Sequence, residues 1–273
     1  MKRIILLVPC LFVLSVLMAQ QNSLHPFIFL HAGTAIATDN LGKKVINDNK
    51  SGFGTVGYYA AAGMDIPLNN KIGFFAELNS QLIPVARQSM AAQLNQTSFY
   101  QGLYAFSTTL PPGVTLLNAR QYPNWTVMKS DWRSASLILG ITRKIPLSEK
   151  AKLTLIIKGG IGLLYARSPE LYGESITDSA SAMVQQNSNK AMGFASRLGL
   201  SIEHHLTSKI KIRFNDDFDL SSSIRFKDIT AVTTTTQGSY GSPNFIITKS
   251  WVSGTLIQQV NALHLSLGIA YAL

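Results

Sequence analysis

The sequence holds one cysteine, Cys10, in 273 residues. Cys10 falls inside a segment that reads as a removable leader, so the mature chain is expected to carry no thiol. That excludes disulfides and thiolate metal sites, and leaves burial and hydrogen bonding to hold the fold. Acidic residues are scarce, 14 against 24 lysines and arginines. The basic side chains are nevertheless dispersed, and no dense Lys/Arg run marks a nucleic-acid surface. No Pro/Gly/Ser-rich linker divides the chain into domains. Also missing are a Gly-rich phosphate loop, a metal-ligand spacing and a nucleophile elbow, which removes the commonest sequence grounds for an enzyme or a cofactor.

The opening "MKRIILLVPCLFVLSVLMAQQNS" places Lys2 and Arg3 before an apolar run from Ile4 to Ala19. This is the anatomy of a secretory signal peptide, assigned to residues 1–20. The run is shorter than the roughly 20 apolar residues of a membrane helix and contains Pro9 and Ser15. In "LVPC" Pro9 occupies the place where lipidation signals carry a small residue, so Cys10 is not read as a lipid anchor. Residues 21–273 form one domain. Without Lys2 and Arg3, 22 basic and 14 acidic side chains leave a formal charge of +8.

What the mature chain does have is alternation. Period-2 patterning predicts strands with two unlike faces at about 26–37, 55–67, 71–83, 134–146, 152–166, 191–205, 209–222 and 257–273. Their connections alternate strictly between long and short. Pro67–Lys71, Pro146–Lys150 and Leu206–Lys209 are tight turns; Thr38–Gly54, Pro84–Arg133, Arg167–Lys190 and Ser223–Thr255 are long. In "IGFFAELNSQLI" the face Ile72, Phe74, Ala76, Leu78 opposes Phe75, Glu77, Asn79 and Gln81. In "IKIRFNDDFDL" Ile210, Ile212, Phe214, Phe218 and Leu220 oppose Lys211, Arg213, Asn215, Asp217 and Asp219. The apolar faces end in aromatics: Tyr58, Tyr165, Phe194 and Phe218 toward the long loops, Phe74 and Tyr271 toward the turns. Together these features predict an all-β, eight-stranded antiparallel up-and-down transmembrane β-barrel, with apolar side chains in lipid and polar ones inside. A ten-stranded barrel follows instead if "SFYQGLYAF" and "GVTLLNAR" pair as a hairpin across Pro111 and Pro112. The stretches "ITAVTTTTQ" and "PNFIITKSWV" are candidates to extend the last two strands above the membrane.

The chain resembles the small eight-stranded outer-membrane β-barrel families of bacteria, in particular the PorT-like group, over its whole mature length. Its terminal "LSLGIAYAL" is similar to the C-terminal signal read by the barrel insertion machinery, with Gly268, Tyr271 and Leu273 as the carrying residues. Such signals commonly finish on an aromatic, whereas here Tyr271 is third from the end. The resemblance implies a location in the bacterial outer membrane and, as partners, outer-membrane lipid and that machinery.

The interior is expected to hold a polar network of Glu77, Lys158, Arg197, Glu203, Lys211, Arg213, Asp217, Asp219 and His264, joined by Asn79, Gln81 and Asn215. An eight-stranded barrel is narrow enough for side chains to fill, so these groups should pair across the lumen. His264 and Ser266 share a strand face and resemble part of the His/Ser/acid set of lipid A deacylases, but a packed interior histidine accounts for them more simply. His204 and His205 point to opposite faces and do not chelate one metal. "DSA" at Asp178–Ala180 resembles a bacterial O-glycosylation sequon, centred on Ser179. The functional expectation is a non-enzymatic barrel without cofactor or metal, with long loops facing an extracellular or envelope partner. The alternatives are an outer-membrane lipid-modifying enzyme and a soluble secreted lipocalin-like barrel.

Overall fold

A computed structural model describes residues 25–45, 48, 50–96, 122, 124–148, 150, 152–177, 180–238 and 246–273. The leader at 1–20, the stretches "SFYQGLYAF" and "GVTLLNAR", and Ser179 lie outside the described residues.

Eight strands close into a barrel: β1 (Phe27–Ala37), β2 (Val56–Pro67), β3 (Ile72–Pro84), β5 (Asp131–Ser148), β6 (Leu153–Arg167), β9 (Lys190–His205), β10 (Ile210–Ser221) and β13 (Ala262–Ala272). Each pairs antiparallel with the barrel strands before and after it in the chain, and β1 closes on β13, with Phe27 opposite Ala272 and Ala37 opposite Ala262. Closure leaves no free edge in this sheet. The turns form for local reasons. Asn69 Oδ1 accepts from the backbone N–H of Lys71 and Ile72, both at 2.8 Å. Thr207 Oγ1 does the same for Lys209 and Ile210, at 3.2 and 2.9 Å. Short polar side chains that bond their own backbone favour such reversals.

The faces of the wall are inverted relative to a soluble protein. Tyr58 and Ile161 are each 74% exposed on the outside, whereas Arg197 is 1% and Asp217 0% exposed inside.

The long connections are not plain loops. They contribute β4 (Thr126–Val127), β7 (Leu171–Ile176), β8 (Ala180–Gln186), β11 (Ile224–Gln237) and β12 (Ile246–Gln258), which form a second antiparallel sheet in the order β12-β11-β8-β7-β4. Two helices, α1 (Asp39–Gly42) and α2 (Arg87–Gln96), lie in the first two connections. The expected extensions above the membrane therefore take another form. β11 pairs with β8 on one side and β12 on the other, instead of lengthening the barrel wall.

The expected strand 257–273 is likewise divided, ending as β12 at Gln258 and resuming as β13 at Ala262. The break has a packing cause. Val260 turns inward and is buried, and its N–H bonds Ser221 Oγ at 2.7 Å. Asn261 holds the rim, its Oδ1 accepting from Ser221 N at 2.8 Å and its Nδ2 donating to Asp39 at 3.0 Å. A second irregularity, between Phe226 and Ile229, is a β-bulge whose Asp228 takes φ 54°, a conformation Asp tolerates better than most residues.

An apolar cap fills the long-loop mouth. Leu41, Phe53, Met90, Leu94, Trp132 and Phe226 are all fully buried in one cluster. Trp132 meets the Phe226 ring edge-on at 5.8 Å between centroids and donates its indole N–H to Gly52 O at 2.8 Å.

Candidate functional site

The barrel interior gathers the charges into two groups. In the upper group Arg197, from β9, binds Asp219 through both arms of its guanidinium, Nε to Oδ1 at 2.6 Å and Nη2 to Oδ2 at 2.7 Å. It also pairs with Glu77 of β3 across the lumen and donates to Tyr59 Oη at 3.0 Å, while Tyr59 donates to Glu77 at 2.8 Å. Lys158 of β6 pairs with Asp217 of β10 at 2.7 Å, and Asp217 lies 3.8 Å from Arg197.

This last pair spans three strands because residue 199 is glycine. Lys158 and Asp217 both face Gly199 in register, and a Cβ there would collide with the Asp217 carboxylate and the Lys158 stem. His264 stacks on Tyr59 with centroids 4.1 Å apart, and its Nε2 lies 2.8 Å from Gln81 Oε1.

The lower group centres on Arg213, whose Nη2 reaches Asp65 at 2.6 Å and Glu203 at 2.7 Å. Glu203 also receives Lys211 at 2.8 Å, and Lys211 lies 3.7 Å above the Phe27 ring centroid. Neutral bonds continue the network: Ser201 donates to Asn215 at 2.7 Å between the two groups, and on the long-loop side of Glu77 Ser136 donates to Asn79 at 2.8 Å and Gln81 to Ser134 at 2.9 Å. All nine ionisable interior residues named from the sequence thus lie inside, together with Asn79, Gln81 and Asn215.

Sequence reasoning omitted Asp65, Tyr59 and His31, although inward parity on β1 and β2 would have found them. It also passed over Asp216. This side chain is exposed on the outer face between Phe214 and Phe218, opposite Leu200 and Leu265.

Chemically, the interior is a set of ion pairs, and among the described residues no group of three or more His, Cys, Asp and Glu gathers to hold a metal. Ser266 is buried and accepts from Asn215 Nδ2 at 3.3 Å, while His264 bonds Gln81. Its Nδ1 lies 3.7 Å from Asp219, an acid that also serves Arg197. His204 and His205 lie at the turn end of β9, with His205 Nε2 3.3 Å from Glu203. Of the C-terminal residues, Tyr271 and Leu273 face outward. Gly268 faces inward between Arg213 and His31, where a Cβ would strike the His31 ring.

The molecule belongs structurally to the closed eight-stranded antiparallel barrels that carry charge inside and apolar side chains outside. No family model matches the chain, and no curated protein matches it in sequence. Among solved structures it is similar to a major outer membrane protein from Thermus thermophilus, with 12% identity and a TM-score of 0.41, over 91% of this chain and 99% of that one. It is also similar to Ail, the attachment invasion locus protein of Yersinia pestis, at 12% identity and TM-score 0.38, over 91% and 98%. Neisserial surface protein A gives 7% identity and TM-score 0.37, over 91% and 97%.

Proposed function

We propose that the chain is a non-conducting, non-enzymatic barrel of the bacterial outer membrane, of the PorT-like kind, that presents a folded sheet outside the cell to an extracellular or envelope partner. The observation that carries the reading is the inversion of the wall. An apolar belt that includes Leu30, Leu78, Ile141, Ile161, Leu198, Leu267 and Ile269 stands exposed on the outside of a charged interior. Water would leave so large an apolar surface unsatisfied, and hydrocarbon satisfies it. Exposed Tyr58, Tyr165 and Phe194 at one end and Tyr271 at the other suit the two membrane interfaces.

A closed interior supports the non-conducting part. Ion pairs bridge opposite walls, and the cap of Leu41, Phe53, Trp132 and Phe226 stands over the mouth. Burial of His264 and Ser266, each bonded to a different neighbour, favours packing over catalysis. Insertion through the C-terminal "LSLGIAYAL" requires the barrel insertion machinery as a transient partner.

The test is heat modifiability with conductance. The folded chain in detergent should migrate faster before boiling than after, and should give no ion-conducting steps in a planar bilayer. Equal mobility would overturn the barrel in the membrane; regular conductance steps would overturn the closed interior.

A further inference from the structure

Three basic residues stand in one line at the long-loop rim. Arg133 of β5 is directly opposite Arg167 of β6, and Arg167 is directly opposite Lys190 of β9. They share the parity of the lipid-facing side chains: the next outward row on the same strands is Ala135, Tyr165 and Met192, and the one after it Leu137, Leu163 and Phe194.

Like charges placed directly opposite one another destabilise a sheet. Local partners relieve only part of this. Arg133 Nε meets Asp131 at 2.6 Å, and Arg167 reaches the neutral hydroxyl of Ser188 at 3.1 and 3.0 Å. Among the described residues, no carboxylate lies within ion-pairing distance of Arg167 or Lys190.

Two recesses flank the line. A polar one of about 380 Å³ is lined by Lys129, Arg133, Arg167, Ser168 and Tyr172, with Asp131 and Glu170 as its acids. Toward the membrane, on the same strands and β10, runs an apolar groove of about 650 Å³ lined by Leu139, Ile161, Leu163, Phe194 and Leu220.

We infer that this line binds the phosphorylated headgroup of an anionic lipid in the surrounding leaflet, with an acyl chain in the groove beneath; the inference rests on the membrane reading above. Two guanidinium forks and an ammonium match the oxygens of a phosphate, and a cationic excess at the boundary of water and hydrocarbon attracts anionic headgroups. The apolar groove below the polar recess selects an amphiphile over a free anion. The short-turn rim offers a built-in comparison, because Arg143 there faces Ile72 and Ile157 in register and forms no such line.

The test uses the full mature chain, folded in neutral detergent and first checked for heat modifiability, so that failure of the barrel is seen separately from failure of the site. Native mass spectrometry then compares retention of monophosphoryl lipid A with that of phosphatidylcholine. The unmodified barrel should hold one lipid A about tenfold or more tightly than phosphatidylcholine. Arg167→Gln with Lys190→Gln should lose that preference, Arg167→Lys with Lys190→Arg should keep it, and Arg143→Gln should leave it unchanged. Equal retention by the folded double glutamine variant, or no preference in the unmodified chain, would overturn the inference. Displacement of the lipid by excess inorganic phosphate would also overturn it, by assigning the recess to a soluble anion.

Discussion

Replacing Arg197 by methionine should be the most damaging single change in the barrel wall that preserves volume. Its guanidinium binds Asp219 twice, pairs with Glu77, bonds Tyr59 and lies 3.8 Å from Asp217. Methionine leaves Glu77 and Asp219 buried without their cation, and Lys158 is already engaged with Asp217. Removing one partner of a buried ion pair costs about 3–5 kcal/mol, because the remaining charge is stranded in a low dielectric. Lysine at 197 restores the charge but not the fork; loss of one charged hydrogen bond predicts about 1.5–3 kcal/mol.

The decisive comparison is the triple variant Arg197→Met, Glu77→Gln, Asp219→Asn. It removes the stranded charges as well, so it should recover at least half of the single variant's loss. Folding into phosphatidylcholine vesicles across a urea series gives the free energies, read as the heat-modifiable fraction on a gel. That readout is chosen because, of the three tryptophans, Trp125 and Trp132 are buried in the cap cluster and Trp251 is exposed on β12, so fluorescence reports the long-loop end and not the lumen. A loss below about 1 kcal/mol for Arg197→Met, or a triple variant as unstable as the single one, would refute the reasoning.

Leu267 faces outward, so Leu267→Trp should be tolerated and Leu267→Arg should cost about 2–4 kcal/mol near the membrane midplane; a Trp variant that fails to fold would place protein, not lipid, against that face. Asp216 interrupts the outer belt, and Asp216→Leu should stabilise the barrel in vesicles by roughly 1–2 kcal/mol; destabilisation would point to a neighbour that uses the carboxylate. Trp132→Ala should cost the cap about 3–5 kcal/mol and expose the outer sheet to protease while the heat-modifiable barrel band persists. For sidedness, a cysteine at Lys249, exposed on β12, should react with an impermeant thiol reagent on whole cells, and one at Asn70 should not; the reverse pattern would invert the topology.

Strand parity was legible in the sequence because side-chain direction in an extended chain is a local property: Glu77 points in because Ile72, Phe74 and Leu78 point out. The same rule placed Arg197, Asp217 and Asp219 inside and Tyr58 and Leu267 outside, and Asn69 and Thr207 marked their own turns. Eight barrel strands and the alternation of long and short connections were readable for the same reason. Partnership across the lumen was not, since which inward residues meet depends on how the wall closes and on the register of every strand pair. Arg197 meets Glu77, 120 residues away in the chain, because β1 closes on β13. The line of Arg133, Arg167 and Lys190 is likewise a product of register, scattered in the sequence and adjacent in the sheet. In the long connections the sequence marked stretches of β11 and β12 as extended but not their pairing with the shorter β8, β7 and β4 into a separate sheet, because that sheet is stabilised by contacts between distant strands and by the cap around Trp132 and Phe226. The break at Gln259–Asn261 belongs to the same class: the alternation of the final stretch favours one long strand, and burial of Val260 together with the bonds of Asn261 to Ser221 and Asp39 outweighs it.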